Sequence, residues 1–448
     1  MNTMEEAPAA PGSLPIFGHQ LWLRWYPLRF LERQRAFGSI TSLTLQGKRA
    51  YLVNEPDLVW SLLTEFSGQV GRGSTADKTR ALTGNGLGSS DGEFHRQQRR
   101  LLQPAFHHAQ VSSYVPLLRR AVELQASRWR EGETLDLVLQ MLAIAATGVL
   151  SSFFGVQNPK AMADVVSTAL PTCLDGAARQ AFAPVKSLTK LPTARRRHYR
   201  AELAKLRHLS DALCNHGPAR PADASSDFLS ILRDAHERGL PGLDTRQIGD
   251  EVKTMLVAGV ETVATTTSWI YHLLSQNPAS YRRVHSELER VLNGRPVEHE
   301  DLAKLDCTYR VVCEALRLFP PVWLVRRRVS IPLRLGEQHI PSGTSVYYSP
   351  YALHRDPRWY PAPERFDPDR WLPERRRDLP RGAYLPFGAG VHRCIGETFG
   401  IAEVMTILAT LIPRWEILAD SDRLAHPKAV VTLRPDRMPV TVRSRRRL

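Results

Sequence analysis

Cys394 sits in Pro386-Phe387-Gly388-Ala389-Gly390-Val391-His392-Arg393-Cys394-Ile395-Gly396, a lone cysteine among three glycines, with two basic residues before it and a phenylalanine seven residues upstream. Glycine lets backbone approach a flat group closely and leaves N–H groups free to point at the sulfur. The stretch leads into an apolar, helix-periodic segment over 399–411, which puts the sulfur at a helix N-terminus. There the macrodipole and the free N–H groups favour a thiolate. A thiolate flanked by cations suits one axial bond to a haem iron, the cations pairing with the haem's anionic propionates. The competing reading of the same residues is a buried structural cysteine in a tight turn.

A second chemical group lies in Ala258-Gly259-Val260-Glu261-Thr262, inside a helical pattern over 248–276. Gly259 costs a helix interior about 1 kcal/mol relative to alanine. Its missing side chain is expected to let a flat ligand or dioxygen approach the backbone. Thr262 can bond back to the carbonyl one turn earlier and open the helix locally, and Glu261 supplies an ionisable group for proton delivery. A third group, Glu314-Ala315-Leu316-Arg317, sets a carboxylate and a guanidinium one helical turn apart. Pro363-Glu364-Arg365-Phe366 adds a second arginine to that pair.

The F-G-x-G-x-H-x-C-x-G stretch resembles the cysteine-ligand loop of the cytochrome P450 family, the haem-thiolate monooxygenases, and the other motifs follow in the family's order from about residue 11 onward. The resemblance implies a mainly α fold with small β-sheets. It makes 1–448 one haem domain, with 1–19 as an extended Pro- and Ala-rich leader and 445–448 as a basic tail. The implied cofactor is haem b, iron protoporphyrin IX, with Cys394 as the iron's axial ligand and Phe387, Gly388, Gly396 and Ala258 against the haem. Glu261 and Thr262 match the family's A/G-G-x-D/E-T segment, an acid–alcohol pair that delivers protons during dioxygen activation. Val263 stands where many members carry Thr or Ser. Glu314, Arg317 and Arg365 resemble the family's buried Glu-Arg-Arg triad, which holds the cysteine loop in register. For the propionates the resemblance implies His392 and Arg99, with His95 in place of the tryptophan of a W-x-x-x-R helix. It also implies Arg327, ambiguous by one residue because Arg326 and Arg328 flank it.

Those groups need a scaffold, and the pattern supplies one. Residues 40–45 and 49–53 alternate around Gln46-Gly47 like a hairpin, and residues from about 94 to 318 repeat apolar positions at three and four. Short strands return near 325–335 and 344–348 before a Pro-rich meander over 356–386. The pattern shows no internal repeats and no linker long enough to separate independent domains. Five cysteines, odd in number and without CxxC spacing, argue against a disulfide framework or a zinc site. No apolar run reaches membrane-spanning length, so no transmembrane anchor is expected, and a cytoplasmic monomer is.

Lys and Arg outnumber Asp and Glu 60 to 45, but they are scattered without a nucleic-acid recognition motif. Nucleic acid is therefore not the expected partner; an acidic ferredoxin, served by an NAD(P)H-dependent ferredoxin reductase, is. The walls that the family uses for substrate fall near 71–87, 171–191, 257–262 and 322–325. They carry Leu82, Leu87, Phe182, Val322, Trp323 and Leu324, with Arg72, Lys78, Arg80, Asp175, Arg179 and Lys186 as their fixed charges. A small apolar, cyclic substrate fits them, and the scaffold motifs are similar to actinobacterial terpene-oxidising members. A monooxygenase that uses O2 to hydroxylate a sesqui- or diterpene is the leading expectation. A polyketide, fatty acid or steroid substrate, a peroxide-using or rearranging relative, and a non-catalytic haem-thiolate sensor remain the alternatives.

Overall fold

A computed structural model describes residues 6–73, 80–181, 193–216, 227–420 and 425–445. Its centre is one 32-residue helix, Thr245–Gln276, most of whose side chains are buried. Asp244 starts it by accepting the Gln247 N–H at 2.8 Å, and Pro278 lies just beyond its end. Leu137–Phe154 packs along it. That helix is apolar nearly all round, long and apolar enough to span a membrane, but 83 % of it is buried inside the protein. Burial on every side explains its composition, so the expectation that no run reaches spanning length is corrected without an anchor being needed. His108–Ala126 and Glu397–Leu411 complete the bundle.

Gly259 is explained here as well. A Cβ at that position would stand 2.9 Å from Cγ2 of Val149. The glycine lets two core helices approach.

A five-stranded sheet flanks the bundle in the order Ile40–Leu45, Lys48–Val53, Ser345–Tyr348, Val325–Val329, Val70–Gly71. The first two form the expected hairpin: Leu45 pairs with Lys48, and Gln46 and Gly47 both take positive φ, as a two-residue hairpin turn requires. Smaller sheets join Thr134–Asp136, Pro439–Ser444 and Trp415–Ala419, and pair Pro427–Ala429 with Leu433–Pro435. The architecture is mainly α with small sheets, as expected. Within the leader, Ala7 and Ala10 are buried and the Ala10 N–H bonds to the Ser42 carbonyl at 2.9 Å. Residues 1–5, and 446–448 of the basic tail, lie outside the described residues.

Asp306–Leu318 carries the charge network that ties helix to meander. Arg317 and Glu314 are both fully buried and share two bonds of 2.8 Å. The remaining Arg317 donors reach the carbonyls of His354, Pro363 and Arg365 at 2.8, 2.7 and 3.2 Å. Glu314 also accepts from the Asp367 N–H and the Trp371 indole. The third cation, however, is Arg370, whose Nε lies 3.4 Å from Glu314. Arg365 contributes its carbonyl while its side chain is exposed. The chain turns at Ala362–Arg365, and the next arginine to face inward comes on the Pro368–Trp371 turn.

His354 extends the network to the cysteine loop. Its Nε2 accepts the Leu385 N–H at 2.8 Å, so Nδ1 carries the proton toward the Arg317 carbonyl at 3.3 Å. Burial, reinforced by Arg317, holds the imidazole pKa down to about 3 from 6.5.

Two outcomes follow for stability. Glu314→Gln should cost about 3–5 kcal/mol and Arg370→Ala less, whereas Arg365→Ala should change denaturant-unfolding stability by no more than about 0.5 kcal/mol. A depressed histidine stabilises the fold fully above pH 6.5 and loses that contribution as pH falls toward 3. The loss through His354 should reach about 2 kcal/mol by pH 5. His354→Asn should be less stable at pH 7.5 yet decline more gently between pH 6.5 and 4.5.

Candidate active site

The cysteine loop is shaped by its glycines. Gly388 and Gly390 take φ of 69° and 67°, a region that side chains other than glycine rarely adopt. A Cβ on Gly390 would meet the Leu63 carbonyl oxygen at 1.7 Å, so the loop lies hard against the end of Pro56–Leu63. The Cys394 N–H donates to the Phe387 carbonyl at 2.8 Å and closes the turn. Gly396 then caps Glu397–Leu411 and turns its N–H to the Cys394 sulfur.

Cys394 is enclosed by protein yet open to solvent-sized molecules, which means that its thiol faces an internal space. Burial pushes the thiol pKa up, against the Gly396 N–H, Arg99 and Arg72, which lower it. The helix terminus alone therefore does not make the thiolate; a bound metal ion would.

Cations converge beside this space. The pleat of Val325–Val329 turns Arg327 inward and Arg326 and Arg328 away, which removes the one-residue ambiguity. Val70–Gly71 pairs with the same strand and sets Arg72 next to it. His95 and His392 lie ring to ring, 4.6 Å apart, and Arg99 donates to the Arg393 carbonyl at 2.7 Å. Burial lowers the pKa of His95 to about 3 and of Arg72 to about 10, with neighbouring cations adding to both. Asp91 offsets part of this charge, accepting from His392 at 3.0 Å and from the Arg72 N–H at 2.5 Å. Even so, His95 Nε2, Arg72 Nε and Arg327 Nε are buried without hydrogen-bond partners. Two orphaned guanidinium donors crowded beside a neutral imidazole that can donate one N–H call for a multiply charged anion. The two propionates of haem meet that need, so the residues fit the cofactor.

Arg72 is the member that sequence reasoning missed, assigning it to a variable wall. No motif marks it; only the pairing of two distant strands brings it to Arg327.

On the central helix, Thr262 bonds back to the Ala258 carbonyl at 2.7 Å, as expected. Ala258 is exposed although the helix around it is buried, so this stretch too borders internal space. Glu261 faces elsewhere, since successive helical positions diverge by about 100°. It is buried, accepts from Thr432 at 2.8 Å, and lies 4.0 Å from Arg434, which holds Asp175 at 2.6 Å. Burial raises its pKa, opposed by Arg434 and Thr432. The structure thus separates the expected acid–alcohol pair into two environments. Among the expected substrate walls, Trp323 is a core residue bonded to the Val430 carbonyl, and Lys78, Phe182 and Lys186 lie outside the described residues.

A mainly helical fold with small sheets, an accessible cysteine on the glycine loop and a cluster of buried cations nearby suit a haem-binding protein. The sequence profile of the family Cytochrome P450 matches residues 8–440. The chain belongs to the cytochrome P450 family, whose members bind haem iron through a cysteine thiolate, and it is a P450 monooxygenase. It is 38 % identical to cyclooctatin synthase of Streptomyces melanosporofaciens, over 95 % of this chain and 93 % of that protein. It is 38 % identical to cyclooctat-9-en-7-ol 5-monooxygenase of the same organism, over 91 % and 89 %. Pentalenene oxygenase of Streptomyces avermitilis is 33 % identical over 95 % of each chain. The fold matches the crystal structure of the cytochrome P450DA heme domain with a TM-score of 0.84 at 24 % identity, covering 99 % of this chain and 98 % of that one.

Removing a cradle cation should weaken haem retention. Arg72→Met and Arg327→Met should each cost about 1.5–3 kcal/mol, the scale of a charged hydrogen bond. Haem transfer to excess apomyoglobin would be faster by about tenfold or more, while Arg328→Met, whose side chain faces away, transfers haem at the wild-type rate.

Proposed function

We propose that the chain is a haem-thiolate monooxygenase that hydroxylates an apolar, cyclic terpenoid. Cys394 would bind the haem iron through its sulfur, and His95, Arg72, Arg99, Arg327 and His392 would hold the propionates. The observation that carries the haem assignment is Cys394 opening onto internal space beside a cradle of under-compensated cations. The terpenoid substrate is supported by relatives named for cyclooctatin, cyclooctat-9-en-7-ol and pentalenene chemistry, which align over nearly the whole chain. Bound haem supplies dioxygen activation and transfer of one oxygen atom to the substrate.

The protein's own residues bind and orient, and they manage protons. Ala258 leaves room against the helix, and the Thr262 hydroxyl, bonded to the Ala258 carbonyl, holds an exchangeable proton at the exposed stretch. Glu261, whose pKa burial raises against the pull of Arg434 and Thr432, is the acid one residue away. Electrons come from a small acidic ferredoxin and its NAD(P)H-dependent reductase, in a cytoplasmic setting and to a monomer. Arg100 is an exposed cation available for that contact, and Arg393 and Arg96 are exposed with local partners Glu397 and Glu93.

The test is spectroscopic and catalytic together. Ferrous–CO wild type should show the far-red Soret band of thiolate ligation, and Cys394→Ser should lose it. Cyclic sesquiterpenes and diterpenes should shift the ferric iron to high spin and yield hydroxylated product. Thr262→Ala should keep the spin shift but divert most reducing equivalents to peroxide. Product and spin shift with a fatty acid or macrolide, and with no terpene, would overturn the substrate assignment.

A further inference from the structure

The first half of the central helix holds buried polar groups that none of the chemistry above uses. Asp250, Glu251, Gln247 and Thr254 are all buried, and all turn toward the segment 83–90, Thr-Gly-Asn-Gly-Leu-Gly-Ser-Ser. Asp250 accepts the Asn85 N–H at 2.7 Å and Glu251 accepts the Leu87 N–H at 2.9 Å. Gln247 donates to the Asn85 carbonyl at 3.2 Å and to the other Glu251 oxygen at 3.0 Å. The Thr254 hydroxyl lies 2.8 Å from the Asp250 carbonyl and 3.2 Å from the Thr83 carbonyl, so its one proton is shared between them. Two adjacent carboxylates are thus spent on backbone amides of one segment, and Lys253 is the cation paired with them, at Asp250. Burial pushes Glu251 up to about 7 against the pull of the Leu87 N–H and Gln247, so the arrangement is held at a cost.

The segment's glycines fit this contact. A Cβ on Gly84 would lie 1.9 Å from an Asp250 oxygen, and one on Gly86 would lie 2.2 Å from the Thr254 hydroxyl. The far end of the segment is fastened to the cationic cradle: Arg72 donates to the Gly88 carbonyl at 2.6 Å, and Asp91, just beyond, accepts from His392. Asp250, Thr254, Ala258 and Thr262 follow at intervals of four and share one stripe of the helix. The segment covers Asp250 and Thr254; Ala258, the next position, is exposed. The covered part of the stripe ends where the open part begins.

We propose that Asp250 and Glu251 are positioning residues, a paired carboxylate clamp that fixes segment 83–90 as a rigid wall of the substrate cavity and so limits where a bulky apolar molecule can lie along Ala258–Thr262. This rests on the haem-monooxygenase reading only for what the wall encloses; the clamp itself is independent of it. The Asp250 carboxylate, paired with Lys253, holds its amide donor about twice as strongly as a neutral acceptor would, so replacing both acids by amides of the same shape loosens the wall without emptying it.

The experiment compares holo wild type with Asp250→Asn/Glu251→Gln, and with Gly86→Ala, which pushes the segment off Thr254 and leaves every charge in place. Hydrogen exchange of residues 83–90 should accelerate at least tenfold in both variants while residues 258–276 exchange as in wild type. Dissociation of 4-phenylimidazole, a bulky ligand of ferric haem iron whatever the natural substrate, should accelerate about tenfold, and that of imidazole should not. Unchanged exchange at 83–90 would overturn the clamp. Faster exchange with equal effects on both ligands, or none on either, would overturn the wall's positioning role. Failure of any terpene to turn over would overturn the substrate assignment and leave both of these readouts intact.

Discussion

Arg317 is the residue on which the site's geometry depends. A guanidinium has five N–H donors, and all five find acceptors here: two on Glu314 and three on carbonyls of the segments that lead to the cysteine loop. A charge taken wholly out of water is tolerable only when its partners are complete, and removing one is far more damaging than never having buried the pair. That asymmetry makes the network a register device. The meander has little regular structure of its own, so its position is fixed by where its carbonyls must go to satisfy Arg317. His354 hands the constraint on, from the Arg317 carbonyl to the Leu385 N–H, two residues before Phe387. The cysteine's place is thereby set by a helix far away in sequence.

The opposite principle governs the cofactor cradle. There the charges are incomplete. Arg72 and Arg327 each keep a buried guanidinium N–H unpartnered and His95 keeps a ring nitrogen so, and neighbouring cations help depress both His95 and Arg72. The protein alone pays for this crowding, and a bound dianion relieves it. Cys394 follows the same logic: burial disfavours its thiolate until a metal ion is present. Cradle and ligand are both set up for a partner, whereas the Arg317 network is closed on itself.

Helix geometry sets the two groups proposed to handle protons in different surroundings. Thr262 lies on the open stripe with Ala258, and Glu261, one position earlier, is held by the hairpin that carries Thr432 and Arg434. Arg434 also grips Asp175 on the helix Lys160–Ala181. The acid's environment is thus assembled from three separated parts of the chain.

What the sequence determined by itself was whatever is local. The cysteine loop was legible because its glycines, its basic residues and its helix start lie within a few positions, and the hairpin at Gln46-Gly47 because a two-residue turn demands residues that tolerate positive φ. The alternation of apolar positions gave the long helix to within three residues at its start. Tertiary structure decided what depends on distant segments meeting. The third cation of the buried network is Arg370 and not Arg365, because a turn after Pro363 sends one outward and the other inward. Gly259 serves Val149, a contact that periodicity within its own helix cannot reveal. Arg72 joins Arg327 only through strand pairing across more than half the chain. A motif records the residues that chemistry needs close together in sequence; charge compensation and close packing act through space, and only the folded chain sets those distances.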